Sequence, residues 1–190
     1  MDDNKRLSFN YDEVTLNHLN WEQLVQQFQA LVWTTIRRLV DNDADAADCF
    51  QETFITAVET ARRQPVRHMS GLLTRIATAR AIDQVRFRIR HRQFKEQYRD
   101  GRSIEIDSRD PGAGLEQGEL AQTLRMALGT LPNQQAQAFC LKHLSGWTQR
   151  EIALEMQTSP SAVGVMIHRA KKQLQQHLHV HGHAQMRIES

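Results

Sequence analysis

The sequence predicts an all-α protein built as two small helical domains joined by a flexible linker. Three observations carry this. Apolar residues recur at steps of three and four along most of the chain, and strand-like alternation of β-branched residues is hard to find. Glycine and proline are scarce, nine and four in 190 residues, so long helices go uninterrupted. The stretch from Gly101 to Gly114 is the exception, because it gathers turn and coil formers with several acids and divides the chain.

The first apolar stripe, Trp21, Leu24, Val25, Phe28, Leu31, Val32, Ile36 and Leu39, occupies one face of a long helix. The acid-rich run Asp41–Asp45 breaks it, and Asp43 or Asp45 is expected to cap a second helix with Ala47, Phe50, Phe54, Val58 and Ala61 inward. Pro65 marks the following loop. Ser70 is the expected cap of a third helix, which opens on Leu72, Leu73, Ile76 and Ala77 and runs out of its core with exposed arginines. Past the linker, Leu120, Leu124, Leu128 and Leu131 form one stripe, then Ala136, Phe139, Cys140 and Leu144 another. Pro132 starts that second helix and Gly146 ends it. The boundaries are therefore a polar extension over 1–19, a first domain over 20–100, a linker over 101–114, a second domain over 115–178 and a histidine-containing tail over 179–190.

Charge is unevenly placed. The net charge is only +2, yet residues 62–102 hold 12 Lys or Arg against three acids, while Asp41 to Glu59 is acidic. A basic block of this kind points to nucleic acid. Cys49 and Cys140 lie far apart inside apolar patterns and read as reduced core thiols rather than a metal site. The alternating His177, His179, His181 and His183 lack Cys or acidic companions and read as a solvated tail, so neither a metal nor a cofactor is expected. No apolar run approaches the roughly 20 residues of a membrane span, and the first residues lack a signal-peptide core. The expectation is a cytoplasmic protein with no membrane insertion.

Residues 145–178 carry the most specific motif. Thr148 and Glu151 stand in capping-box spacing, Ile152, Ala153 and Met156 supply a short buried face, and Gln157 to Ser159 make a tight turn. Ser159 caps the next helix with Pro160 in its first position, and Val163, Ile167, Ala170 and Leu174 step along its inner side. Two helices so joined, the second rich in basic residues, form a helix-turn-helix. Ser161, Gly164, Val165, His168, Arg169, Lys171 and Lys172 then fall on or near the outer face, where base edges and phosphates are met.

Taken together the motifs resemble a family. Ala47-Asp48-Cys49-Phe50-Gln51-Glu52-Thr53-Phe54, the stretch Leu72 to Ala77 with Ala81 to Arg86, Ala127 to Pro132, Glu151-Ile152-Ala153 and His168-Arg169-Ala170 are similar, in order and spacing, to regions two and four of bacterial extracytoplasmic-function (ECF) sigma factors. The resemblance implies a protein that binds core RNA polymerase through Asp48, Gln51, Glu52 and Phe54. It implies minus-ten promoter contacts by Arg63, Arg67 and His68, in a loop that captures a flipped base, and by Arg86, Arg88, Arg90 and Arg92. It implies minus-thirty-five contacts by the outer face of the last helix, and an anti-sigma factor as a further kind of partner. The chain departs from the family pattern at Leu72, Ala79, Ala136, Gly164 and Met166, which bears on its promoter preference. A stand-alone helix-turn-helix regulator is the alternative, but it leaves Asp48 to Phe54 without a purpose. An enzyme has little support, since no carboxylate cluster of metal-ligand spacing and no glycine-rich phosphate loop is seen.

Overall fold

The computed structural model describes residues 21–97 and 115–180. Among these, seven helices account for the regular structure: α1 (Trp21–Arg37), α2 (Asp43–Arg63), α3 (Met69–Gln97), α4 (Leu115–Thr130), α5 (Asn133–His143), α6 (Gln149–Glu155) and α7 (Pro160–Val180). The expected linker, residues 101–114, lies outside the described residues, as do the amino-terminal extension and the tail beyond residue 180.

Helices α1, α2 and α3 form a three-helix unit. Leu24, Val32 and Ile36 of α1 and Leu39 just beyond it are buried as the periodicity predicts, whereas Trp21 is half out of the core and meets Phe54 edge-on at 5.8 Å. Helix α2 departs from expectation at its start. Asn42, in extended conformation, is the cap: its side-chain oxygen accepts from the Asp45 amide at 3.0 Å. Asp43 and Asp45 instead occupy the first turn, where negative charge suits the helix dipole. Ala47 is exposed. Ala46 takes the inward place, because one step of four back from Phe50 reaches residue 46, and Cys49, Thr53 and Ala57 continue the buried face.

Helix α3, 29 residues and about 43 Å long, is the spine of the molecule. It starts two residues earlier than a cap at Ser70 would place it. The Leu72 amide bonds to the His68 carbonyl, so Ser70 sits inside the first turn rather than capping it, and its carbonyl accepts from the Thr74 hydroxyl. Leu72, Leu73, Ile76, Ala77, Ala81 and Ile82 are all buried. Buried Thr53 and Thr35 resolve their hydroxyls in the same way as Thr74, each onto the carbonyl four residues earlier.

The carboxyl-terminal helices form a second unit, and it packs on the first. Helices α4, α5 and α6 all touch α3. One apolar cluster runs unbroken from Leu24 and Ile36 through Leu73 and Ile82 to Leu131, Phe139 and Leu174, and a smaller cluster fills the helix-turn-helix. The sequence led us to expect the far half of α3 to stand clear of any core. It instead receives α4 and α5. Both cysteines are buried and unpaired. Burial pushes Cys49 to about 11, helped by Asp45 and Asp48, and pushes Cys140 to about 12.

Phe54 is 1% exposed and its α2 neighbour Ile55 47%. Phe54→Ala should therefore lose about 3–5 kcal/mol of stability in denaturant titrations, and Ile55→Ala less than about 0.5 kcal/mol.

Candidate nucleic-acid interface

The helix-turn-helix is built as its spacing predicts. Thr148 accepts the Glu151 amide at 3.3 Å, and the Glu151 carboxylate accepts the Thr148 amide at 2.7 Å. Both first-turn donors are thus satisfied reciprocally. Helix α5 ends at His143 with Leu144 as its cap, Gly146 adopts φ +74, and the Trp147 amide returns to the Leu141 carbonyl. Gln157 takes φ 53 in the turn, and Ser159 accepts the Ala162 amide to start α7. Val163, Ala170 and Leu174 are fully buried, which fixes the rotation of α7.

That rotation places Ser161, Val165, His168, Arg169 and Lys172 on the solvent side, with Gly164 and Lys171 half-buried beside them. Gly164 faces α6: a Cβ there would lie 3.6 Å from the Gln149 amide. Arg169 is exposed, and no ion pair among the described residues holds it. The local field is positive. Burial first, then Lys171 and Lys142, hold His143 below its ordinary value.

Trp147, which the sequence reading passed over, is 4% exposed and packs with Ile152 and Val163. Its place was legible. It immediately precedes the cap Thr148, and Ile152 is the fourth residue of the helix, the spacing of a hydrophobic staple.

On α2, Asp48, Gln51 and Glu52 are exposed on one face. Phe54 does not join them. It lies beneath, packed on Trp21 and Phe50, and supports the helix from inside. The apolar residue that completes the outer face is Ile55, and the sequence offered a signal for it, since 48, 51, 52 and 55 step by three and four outside the buried stripe. Glu52 also reaches Arg80 at 3.7 Å, and Arg80 donates to Thr56 at 3.0 Å.

The basic residues of the first unit do not form one patch. Arg63 ends α2 and Arg67 lies in the loop after it, both exposed, while His68 is half-buried. Arg86, Arg88, Arg90 and Arg92 repeat every two residues, which on a helix alternates between roughly opposite sides. Arg90 is exposed. Arg86 pairs with Asp83 at 3.5 Å and donates from Nε to the Gly129 carbonyl at 3.2 Å and from Nη2 to the Leu131 carbonyl at 2.5 Å. Arg88 is clasped by Asp45 and sits 3.7 Å from Asp41. Arg88 and Arg92 line a cleft of about 280 Å³ together with Arg125 of α4. The arginines expected to be exposed are thus partly engaged, because the second unit and the acid-rich corner before α2 supply acceptors.

Two helical units, the second holding a capped helix-turn-helix and the first a charged α3, define a helical protein of the DNA-reading class. Family models agree in detail: "Sigma-70 region 2" matches residues 24–93 and "Sigma-70, region 4" matches residues 121–174. The chain belongs to the sigma-70 family, in its ECF group. It is 30% identical over 164 residues, 85% of its length, to the ECF RNA polymerase sigma factor SigE of Mycolicibacterium smegmatis, of whose length it spans 63%. Its fold is similar to that of the sigma factor RpoE of Bartonella quintana, solved with the anti-sigma factor NepR (TM-score 0.51, 20% identity, 84% of this chain and 97% of that one). It is also similar to that of CnrH, solved with the cytosolic domain of CnrY (TM-score 0.51, 21% identity, 84% and 88%).

Loss of the reciprocal cap should show as stability. Thr148→Ala should cost about 1 kcal/mol in chemical denaturation, and an unchanged midpoint would mean that the cap does not hold α6.

Proposed function

We propose that this chain is a sigma factor that binds core RNA polymerase and directs promoter-specific initiation, with no catalytic step of its own. The observation that carries the reading is the presence, on one chain, of a helix-turn-helix with an open basic outer face and of a second charged helix face that a DNA reader alone would not need. The first domain, residues 20–100, is assigned the polymerase and the minus-ten element. The second, residues 115–178, is assigned the minus-thirty-five element, with 101–114 as the linker between them.

The polymerase face is Asp48, Gln51 and Glu52 with Ile55 at its centre, a polar frame around an exposed apolar anchor. Minus-ten DNA is assigned to Arg63, Arg67, His68, Arg86, Arg88, Arg90 and Arg92. Minus-thirty-five DNA is assigned to Ser161, Gly164, Val165, His168, Arg169, Lys171 and Lys172. An anti-sigma factor, the kind of partner with which the RpoE structure was solved, is a further partner assigned to this chain. Among the described residues no helix is long and apolar enough to cross a membrane, and the proposed place of action is the cytoplasm.

The test is run-off transcription from a genomic promoter library with purified core polymerase, with and without the protein. Transcripts that depend on both are expected. Promoter binding that is equally tight and selective without polymerase would favour the stand-alone regulator.

Two sets of variants assign the faces. Gln51→Ala with Glu52→Ala should keep the fold and weaken binding to core polymerase. Unchanged affinity in a folded double variant would remove α2 from that surface. Arg169→Ala should lose about 1–3 kcal/mol of discrimination at one upstream base pair while polymerase binding stays normal. Lys172→Ala should weaken all sequences evenly and lower the logarithmic salt slope by about 0.9. Binding to single-base promoter variants at several salt concentrations separates these two behaviours.

A further inference from the structure

The cleft of about 280 Å³ opens where α3, α4 and the corner between α1 and α2 meet. Three guanidiniums line it: Arg88 and Arg92, one turn apart on α3, and Arg125 of α4. Arg125 belongs to neither DNA face proposed above.

Their pairing is uneven. Arg88 is clasped by Asp45 and lies 3.7 Å from Asp41. The ion pair of Arg125 is with the same Asp41, at 3.9 Å, and its Nε is buried without an acceptor. Arg92 donates from Nη1 to the Met126 sulfur at 3.9 Å, a weak acceptor. Three cations thus meet two carboxylates, one of them shared. The remaining polar lining is three neutral glutamine amides. Like charges around one cleft repel, and a multivalent anion between them replaces that repulsion with attraction.

Size and walls narrow the ligand. One water occupies about 30 Å³ of liquid, so the cleft is roomier than a bare phosphate needs. It stands near the lower end of small-molecule pockets, about 300 Å³. Val85 and Ile89 of α3 and Met126 of α4 give it an apolar wall. Gly129, about one turn beyond Met126, bounds that wall: a Cβ there would overlap Ile89 Cδ1, so its absence lets α4 rest directly on α3. A flat ring suits such a slot, and a thioether packs well against one. Met126 is 40% exposed, so its side chain is within reach from solvent. Glutamine amides both donate to and accept from the edge of a heterocycle.

We propose that this cleft binds a nucleotide, with its phosphates on Arg92, Arg125 and Arg88 and its base against Val85, Ile89 and Met126. The guanidinium fork meets phosphate oxygens two at a time. The site goes beyond the sigma-factor reading, and neither its geometry nor its test uses promoter or polymerase.

Calorimetric titration of the full chain with ADP, GDP and pyrophosphate tests it. At least one nucleotide should bind at about 1 mM or below, and more tightly than pyrophosphate. Arg125→Gln should weaken nucleotide and pyrophosphate alike, about tenfold for a lost charged contact. Arg125→Lys keeps the charge without the fork and should recover part of the loss. Met126→Ala should weaken the nucleotide and leave pyrophosphate unchanged. Circular dichroism checks that each variant is folded, and the nucleotide should raise the thermal midpoint of the wild type more than that of Arg125→Gln. No binding of either nucleotide to the wild type would overturn the proposal. Pyrophosphate as tight as both nucleotides would also overturn it, since the cleft would then hold free phosphates only. Nucleotide affinity untouched by Arg125→Gln would do the same by moving the anion to another basic surface. Should Arg125→Gln not fold, Met126→Ala decides, and unchanged nucleotide affinity there sinks the idea.

Discussion

Everything in this molecule depends on the way α3 divides its length between two tasks. Its first half is apolar nearly all round, so it needs neighbours on several sides, and α1 and α2 supply them. Its second half carries arginines at 86, 88, 90 and 92, separated by Val85, Phe87 and Ile89. Such a segment is too apolar to be merely solvated and too charged to be a core. A surface of that composition is stable only with something laid against it that offers both apolar contact and acceptors. DNA offers both, and so does the end of another helix. Here α4 takes the place, giving Gly129 and Leu131 carbonyls to Arg86 while Leu128 and Leu131 bury their side chains.

The energetic division between these contacts is physical. The ion pairs Arg75–Glu155 and Arg125–Asp41 span 3.9 Å and involve partly exposed side chains, so each contributes at most about 1 kcal/mol and is screened by salt. Arg86 differs, since its side chain is largely covered and its donors meet carbonyls left over at a helix terminus. Burial pushes the Glu155 carboxyl above its ordinary value, against the pull of Arg75 and His68. The apolar cluster supplies affinity between the units, and the polar contacts fix their register.

Much of this was legible in the sequence, for identifiable reasons. The helix-turn-helix could be read almost residue by residue because its signals are local: a capping box at Thr148 and Glu151, a left-handed Gly146, a cap at Ser159 followed by proline. The buried face of α2 was misread by one position at Ala47 because alanine is nearly neutral to exposure, and only the phase set by Phe50 and Phe54 distinguishes residue 46 from 47. Phe54 was placed at the polymerase surface by resemblance, although its own stripe already put it inside. The packing of α4 on α3 was not legible at all. It is set by a missing Cβ at Gly129 and by carbonyl acceptors, and neither leaves a periodic trace.

The two faces proposed for DNA also differ in how they are held ready, and the difference follows from their local structure. The α7 face is preformed: Val163, Ala170 and Leu174 lock its rotation, Ser159 fixes its start, and the exposed side chains need only find rotamers. The α3 face is not preformed in this sense. Two of its arginines already have partners, Arg86 in the end of α4 and Arg88 in Asp41 and Asp45, so DNA bound there would displace one set of acceptors with another. Exchange of this kind gains little net energy per contact, because hydrogen bonds are traded rather than created. The gain comes instead from acceptors that carry full charge, phosphates in place of carbonyls, and from counterions released when they are neutralised. On the function proposed above, a protein so arranged would bind its upstream element through a rigid surface and its downstream element through competition, and the second step would be the more sensitive to salt.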